Sequence, residues 1–217
     1  MSSISKIIVI SATIITYQFG GTALATPFLW DKSAGGNGHY YELVDSQILW
    51  DQAKANAESM TFLGVHGYLA TITSATENNF VASTFAPILA QLPSAPIIAW
   101  LGGYQPTGSS EPAGGWSWIT GEPWAYSNWN PVEPNNAFGC SGCKPENQLA
   151  FVIKPVSNFT IGQWSDADGV DTTDINVNQA YYIVEYATSI PEPATISLFS
   201  LGLAGLYFGK RRNQSSN

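Results

Sequence analysis

Between Ala99 and Trp129 the chain crowds Gly, Pro, Asn and Trp together and offers few apolar runs longer than five residues. Such punctuation favours turns over long regular elements, so this half of the chain reads as loop-rich and β-like. Its candidate strands are Ala99–Gly103, Gly115–Ile119, Gln148–Ile153 and Ala180–Tyr186. The first half reads differently. His39 to Val44 alternates polar and apolar residues, as a half-buried strand does. A helix follows over about 46–60, with Asp45 and Ser46 as N-cap candidates and Trp50, Ala53, Ala57 and Met60 on one apolar face. Leu69–Ile72 is a short strand. Ser74-Ala75-Thr76-Glu77 forms a capping box that opens a second helix, with Phe80, Val81 and Phe85 inward and Pro87 interrupting it. Two helices beside short antiparallel strands make an α+β domain whose first and last strands are close enough to its ends to pair with each other.

The two ends of the chain are not part of that domain. Lys6, an apolar run opening Ile7-Ile8-Val9-Ile10, and the small-x-small pattern Ala23-Leu24-Ala25 make residues 1–25 a secretory signal peptide. Residues 26–37 form an N-terminal segment and 38–188 the domain. At the other end, residues 189–217 hold Pro191-Glu192-Pro193, sixteen uncharged residues from Ala194 to Gly209, and Lys210-Arg211-Arg212. A sixteen-residue helix is about 24 Å long, a little short of a hydrocarbon core of about 30 Å. The basic trio would stay cytoplasmic. This triplet, apolar helix and arginine cluster, over 191–212, closely resembles the PEP-CTERM sorting signal of Gram-negative bacteria. The resemblance implies handling by an exosortase in the membrane, cleavage beside the triplet, and release to an outer surface or an exopolysaccharide matrix.

Charge narrows the partners. Residues 26–190 carry four lysines against fifteen acids, a net charge of −11. Polyanions are repelled by such a balance, which argues against nucleic acid, while cations are attracted. The only two cysteines, Cys140 and Cys143, are spaced Cys-x-x-Cys. In an exported protein this spacing reads as a local disulfide that stiffens its loop. A redox pair would need a helix N-terminus in a βαβ setting, and half a zinc site would need a partner chain.

The order of motifs in the domain resembles the C-type lectin-like domain over roughly residues 38–187. It is carried by Trp50-Asp51-Gln52-Ala53, by Gly67 to Ile72 with Glu77-Asn78, and by Trp100-Leu101-Gly102-Gly103. Trp118 with Gly121, Trp129, Glu133-Pro134-Asn135, Glu146-Asn147 and Trp164-Ser165-Asp166 complete it. Each is weak alone; in this order and spacing they are specific.

The resemblance implies a calcium site. Between Trp129 and Asp168 the chain concentrates oxygen donors on long loops: Glu133, Asn135, Asn136, Glu146, Asn147, Ser165, Asp166 and Asp168. Calcium accepts roughly six to eight oxygens in irregular geometry. Zinc wants His or Cys, and His39 and His66 are remote in sequence. In the family the metal ligands correspond to Glu133, Asn135, Glu146 and Asp166, and the Glu-Pro bond between the first two is cis. The same four residues would hold a sugar through two adjacent hydroxyls. The Glu-then-Asn order is associated there with equatorial diols, as in mannose, glucose or N-acetylglucosamine. Two departures stand out: Ser165 occupies the place of an Asn, and Gln105-Pro106 occurs where a second calcium site would have an Asp.

Other readings of these residues carry less. Asp166 to Asp171, followed by Asp174, lacks EF-hand spacing and reads as a solvated acidic turn. Trp100, Trp116, Trp118 and Trp164 read as core; Trp124 and Trp129 have a sugar-stacking alternative. No Ser/His/Asp set, no close Cys and His, and no clear acid/base pair in an apolar pocket argues for an enzyme. The alternative to a calcium-dependent lectin is a lectin-like scaffold that contacts protein or matrix without metal.

Overall fold

The computed structural model describes residues 26–92, 97–136, 145–169 and 180–187. Along them run β1 (Phe28–Leu29), β2 (Tyr40–Ile48), α1 (Trp50–Ser59), β3 (Thr61–Phe62), β4 (Val65–His66) and β5 (Tyr68–Leu69). Then come α2 (Ala75–Leu89), β6 (Ile98–Tyr104), β7 (Ser117–Trp118), β8 (Gln148–Val152), β9 (Trp164–Ala167) and β10 (Ala180–Tyr186). The main sheet has the order β1-β2-β10-β6-β8-β9, with β5 on β10 and β7 on β6, while β3 and β4 form a separate hairpin. The architecture is α+β, as expected. The long strands near the two ends do pair: β2 and β10 run antiparallel, with Tyr186 opposite Tyr40.

Strand pleating explains where the core lies. Successive side chains point to opposite faces, so Leu101 and Ile183 join Val81, Phe85 and Leu89 of α2 in one apolar cluster. Trp100, Tyr182 and Val184 join Trp50, Ala53 and Ala57 of α1 in the other. Every residue of β8 and β10 is therefore buried. The Gly102-Gly103 pair serves this close packing: a Cβ on Gly102 would lie 2.5 Å from the Leu69 carbonyl oxygen, and one on Gly103 2.6 Å from Leu149 Cδ2.

Several local expectations need correction. β2 extends through Ile48, so Asp45 and Ser46 lie within the strand and cap no helix. The helix starts at Trp50, whose N–H is bound by the Gly169 carbonyl at 2.9 Å, and Gln52 reaches back to the Leu49 N–H at 3.3 Å. The alternation in β2 does not mark a solvated face. Glu42 is buried and accepts from the Tyr186 hydroxyl at 2.6 Å, because both faces of the strand are covered. The Ser74 hydroxyl caps α2 by accepting from the Glu77 N–H at 3.2 Å. Glu77 does not return the bond to Ser74; it accepts from the Thr73 N–H at 2.7 Å. Pro87 lies inside α2, within its last turn, so the helix continues past it to Leu89 with one backbone donor missing. The strands at 69–72 and 115–119 are two-residue elements. Residues 28–37, separated from the domain in the sequence reading, are tied to it: β1 pairs with β2, and Trp30 stacks on Phe80 with ring centroids 5.6 Å apart. Among the described residues no helix is long and apolar enough to cross a membrane. The sorting segment, residues 1–25 expected to be a signal peptide, and both cysteines of the expected disulfide lie outside the described residues.

Candidate functional site

The site grows out of an aromatic cluster. Trp164 on β9 is fully buried, and its ring lies 5.8, 5.7, 5.5 and 5.9 Å from those of Trp118, Trp124, Tyr126 and Trp129. Trp124 and Trp129, left with a sugar-stacking alternative in the sequence, pack into this cluster as half-buried members. The indole of Trp164 donates to Asn78 Oδ1 at 2.9 Å. Its carbonyl accepts from the Asn130 N–H at 2.9 Å, which fastens the start of the 130–136 loop to β9. Asn130 then turns that loop: its side chain accepts from the Val132 N–H at 3.1 Å, and its carbonyl accepts from the Glu133 N–H at 2.9 Å.

Two residues beyond Trp164 on the same strand, Asp166 meets the loop. Its carboxylate is buried and accepts from the Asn135 N–H at 3.1 Å and the Asn136 N–H at 2.7 Å. This placement corrects the solvated-turn reading of Asp166, which is a β9 residue held opposite Leu149. The Glu133–Pro134 peptide is cis, as the resemblance implies. Asn136 adopts a left-handed conformation, φ +47°, which asparagine tolerates better than most residues. In that pose its Oδ1 accepts from the Glu146 N–H at 2.9 Å. Asn136 is thus the brace between the two chain segments, a role that its place among the loop's oxygen donors did not reveal.

The electrostatics are those of crowded anions. The Glu133 carboxyl is pushed up to about 9, first by burial, then by its hydrogen bond with Asp166 and the negative charges of Asp166 and Glu146; the Asn135 N–H opposes this. Carboxylates that close cannot all stay ionised without a counter-charge. Glu133 Oε2 is moreover buried without a hydrogen-bond partner, an arrangement that costs free energy unless something else supplies positive charge or a donor. The structure thus brings Glu133 and Asp166 together, sets Asn135 on them through its backbone, and holds Glu146 close enough to act electrostatically. Among the described residues, no three His, Cys, Asp or Glu side chains already close at metal-ligand spacing. A set of two close carboxylates, a third nearby and amide oxygens fits a hard, oxygen-seeking cation of variable coordination better than zinc.

At the departure from the family pattern, the Ser165 hydroxyl donates to the Asp166 carbonyl at 2.9 Å and is occupied by the backbone. At the other, Gln105 is buried, with its amide donating to the Pro112 and Gly114 carbonyls at 3.2 and 2.6 Å.

Structural comparison decides the fold. The C-type lectin CEL-I from Cucumaria echinata is similar to 68% of this chain and 89% of its own, with a TM-score of 0.50 and 20% identity. The chain has a C-type lectin-like fold. By sequence, this C-type lectin-like chain is 27% identical to human C-type mannose receptor 2 over 59% of its length. It is also 32% identical to halomucin of Haloquadratum walsbyi over 79% of its length. It spans only 7% of the mannose receptor and 2% of halomucin. Residues 189–212 match the PEP-CTERM protein-sorting motif, so the C-type lectin-like domain is followed by a sorting signal, as its triplet, apolar run and basic cluster implied.

Proposed function

We propose that this chain is a calcium-dependent carbohydrate-binding module, exported and acting at the cell surface or in the exopolysaccharide matrix of a Gram-negative bacterium, and that it binds without catalysing a reaction. The observation that carries the reading is the buried, unpartnered Glu133 Oε2 beside Asp166, a charge arrangement that a cation completes. Glu133, Asn135, Glu146 and Asp166 would hold calcium, which supplies a positive centre for the lone pairs of two adjacent sugar hydroxyls. The side chains do the rest. Glu133 and Glu146 accept hydrogen bonds from the sugar hydroxyls, and the Asn135 amide donates to a hydroxyl oxygen. Glycan binding by the full chain, measured with calcium and with chelator, tests the reading; loss of binding in chelator is expected.

Specificity follows from the Glu-then-Asn order. Mannose or N-acetylglucosamine should compete better than galactose, and Glu133→Gln with Asn135→Asp should shift the preference toward galactose. Wild-type competition that favours galactose would show the site to be misread. A monosaccharide of about twelve heavy atoms at roughly 0.3 kcal/mol per atom gives only about 4 kcal/mol, a Kd of about 1 mM. Adhesion then needs many copies on a repetitive polysaccharide.

A second reading rests on Ser165, whose hydroxyl is turned to the backbone at 2.9 Å and brings no amide oxygen to the site. If calorimetry at millimolar calcium finds no binding, the chain is a metal-free lectin-like scaffold.

The sorting motif supports recognition by an exosortase, with the apolar segment 194–209 as a transient membrane anchor. Mass spectrometry of surface or matrix material should find chains ending near Pro191 to Pro193. Recovery of full-length chain alone, in the inner membrane, would defeat that part of the proposal.

A further inference from the structure

Three glutamates act on one histidine, Glu185 through a hydrogen bond and Glu77 and Glu122 through their charge. His39 Nδ1 lies 2.6 Å from Glu185 Oε1, with the imidazole about one quarter exposed and the carboxylate buried. The Tyr41 hydroxyl lies 2.5 Å from Glu77 Oε1 and 3.2 Å from Glu185 Oε1. It has one hydrogen for two carboxylates and gives it to the nearer. The Thr71 hydroxyl is similarly shared, 2.6 Å from Glu122 and 3.2 Å from Glu185, while the Thr71 N–H donates to Glu185 Oε2 at 3.0 Å. The Tyr68 hydroxyl is a further hydrogen-bond partner of Glu185, but His39 holds the shortest bond to Oε1, and the imidazole is the group that can bring positive charge to it. Asn37 closes the ring, donating to the Tyr41 oxygen at 2.8 Å and to Glu77 at 3.2 Å.

We propose that the His39–Glu185 pair is a proton-dependent clasp that fastens the N-terminal arm, residues 28–39, to β10 and α2. Every link of the clasp ends on a different element: His39 and Asn37 at the base of the arm, Tyr41 on β2, Glu77 on α2, Glu185 on β10, Thr71 after β5. The arm's own bonds run through the same residue, since the Trp30 N–H donates to the His39 carbonyl at 2.9 Å and the Gly38 N–H to the Trp30 carbonyl at 2.8 Å. The groups facing His39 are Glu185, Glu77 and Glu122 as charges. The hydroxyls of Tyr41 and Tyr68 also face this cluster; burial and these carboxylates raise both and keep them neutral. The stem of Lys32 passes over Gly38 beside it. The hydrogen bond to Glu185 holds His39 above its ordinary value, against the opposing effect of burial. A group whose pKa is raised by folding contributes stability that is complete below its unfolded value, near 6.5, and is lost as pH rises through the folded value. The clasp is therefore closed in mild acid and loosens toward alkaline pH. Burial also raises Glu77, so its sign is the same, though its window opens lower, above 4.5.

Hydrogen exchange at the Trp30 and Gly38 amides reads the arm directly, with the Val152 amide, bound to the Gln163 carbonyl at 2.8 Å, as a remote reference. In the full chain, protection at Trp30 and Gly38 should fall between pH 6 and 9 while protection at Val152 holds. The fall is bounded by the ratio of the His39 acid dissociation constants with the arm open and closed. His39→Gln keeps a donor without the charge, and should give low, pH-independent arm protection over that range. Imidazole NMR of the wild type provides a check that needs no variant: His39 should titrate above the ordinary imidazole value, near 6.5. Flat arm protection, loss in step with Val152, or a His39 that titrates at or below about 6.5 would each overturn the clasp.

Discussion

Saturating calcium is expected to raise the melting temperature of the wild-type chain and to leave Glu133→Gln unmoved. At a free calcium concentration of 100 Kd, mass action adds about 2.7 kcal/mol. For a domain of this size, at about 2–4 °C per kcal/mol, that is about 5–11 °C. The more discriminating comparison is made in chelator. There the wild type holds a half-buried Glu133 beside Asp166 and Glu146 with its carboxyl pushed up to about 9, so folding at neutral pH must protonate a group that is ionised in the unfolded chain. Gln in its place is neutral without taking up a proton and can still donate an amide hydrogen toward Asp166. Glu133→Gln should therefore melt above the wild type without calcium and below it with calcium, so the two variants exchange rank as the ion is added. A structural glutamate would give the same rank in both conditions. If Glu133→Gln retains the calcium shift, the metal lies elsewhere; if it melts lower than wild type in chelator, the crowding of Glu133 against Asp166 is not what strains the loop.

Much of this arrangement was legible in the order of residues. Trp164-Ser165-Asp166 and Glu133-Pro134-Asn135 were readable as two halves of one site, because a resemblance in order and spacing stands in for spatial proximity that no local rule supplies. The helices were legible from periodicity: Trp50, Ala53 and Ala57 are buried on α1, and Val81 and Phe85 on α2. What local pattern could not show was burial on both faces of a sheet. Glu42, Glu77 and Glu185 are acids in positions that a polar-out rule assigns to solvent, yet each is buried and hydrogen-bonded. Apart from the local Thr73–Glu77 bond, their partners Tyr186, Tyr41 and Thr71 lie outside their own elements, at sequence separations no window spans. The start of α1 was missed for a similar reason. Asp45 and Ser46 look like caps, but pairing of β2 with β10 through Ile48 outweighs a local capping preference. Asn136 is the instructive case at the site. As a loop oxygen it looked like one donor among several, and only its left-handed backbone and its bond to the Glu146 N–H make it a brace.

Trp164→Ala should be the most damaging single change in the domain. The indole is fully buried and meets four other aromatic rings, so its removal leaves a cavity that rigid neighbours cannot fill, at about 3–5 kcal/mol. It also takes away the donor at Asn78 Oδ1, 2.9 Å away in the core, which adds about 1–3 kcal/mol for an unpaired buried acceptor. Even the lower figure lowers the melting temperature by about 6–12 °C. Trp164→Phe goes part of the way to separating the two effects, because it keeps an aromatic ring while losing the N–H and a part of the indole volume; it should retain more of the packing than Ala and still show the Asn78 cost. Trp116→Ala gives the comparison at the rim of the cluster, where the ring is 5% exposed and its N–H bonds a loop carbonyl, Pro112, at 3.1 Å; its loss should be smaller. The change at Trp164 should also weaken calcium binding although Trp164 is no ligand. Its carbonyl holds Asn130, which starts the loop carrying Glu133, and its strand carries Asp166 two residues on. A Trp164→Ala chain that unfolds less than about 1 kcal/mol more easily than wild type, or that binds calcium unchanged, would show that the aromatic cluster and the acidic site are independent structures that happen to adjoin.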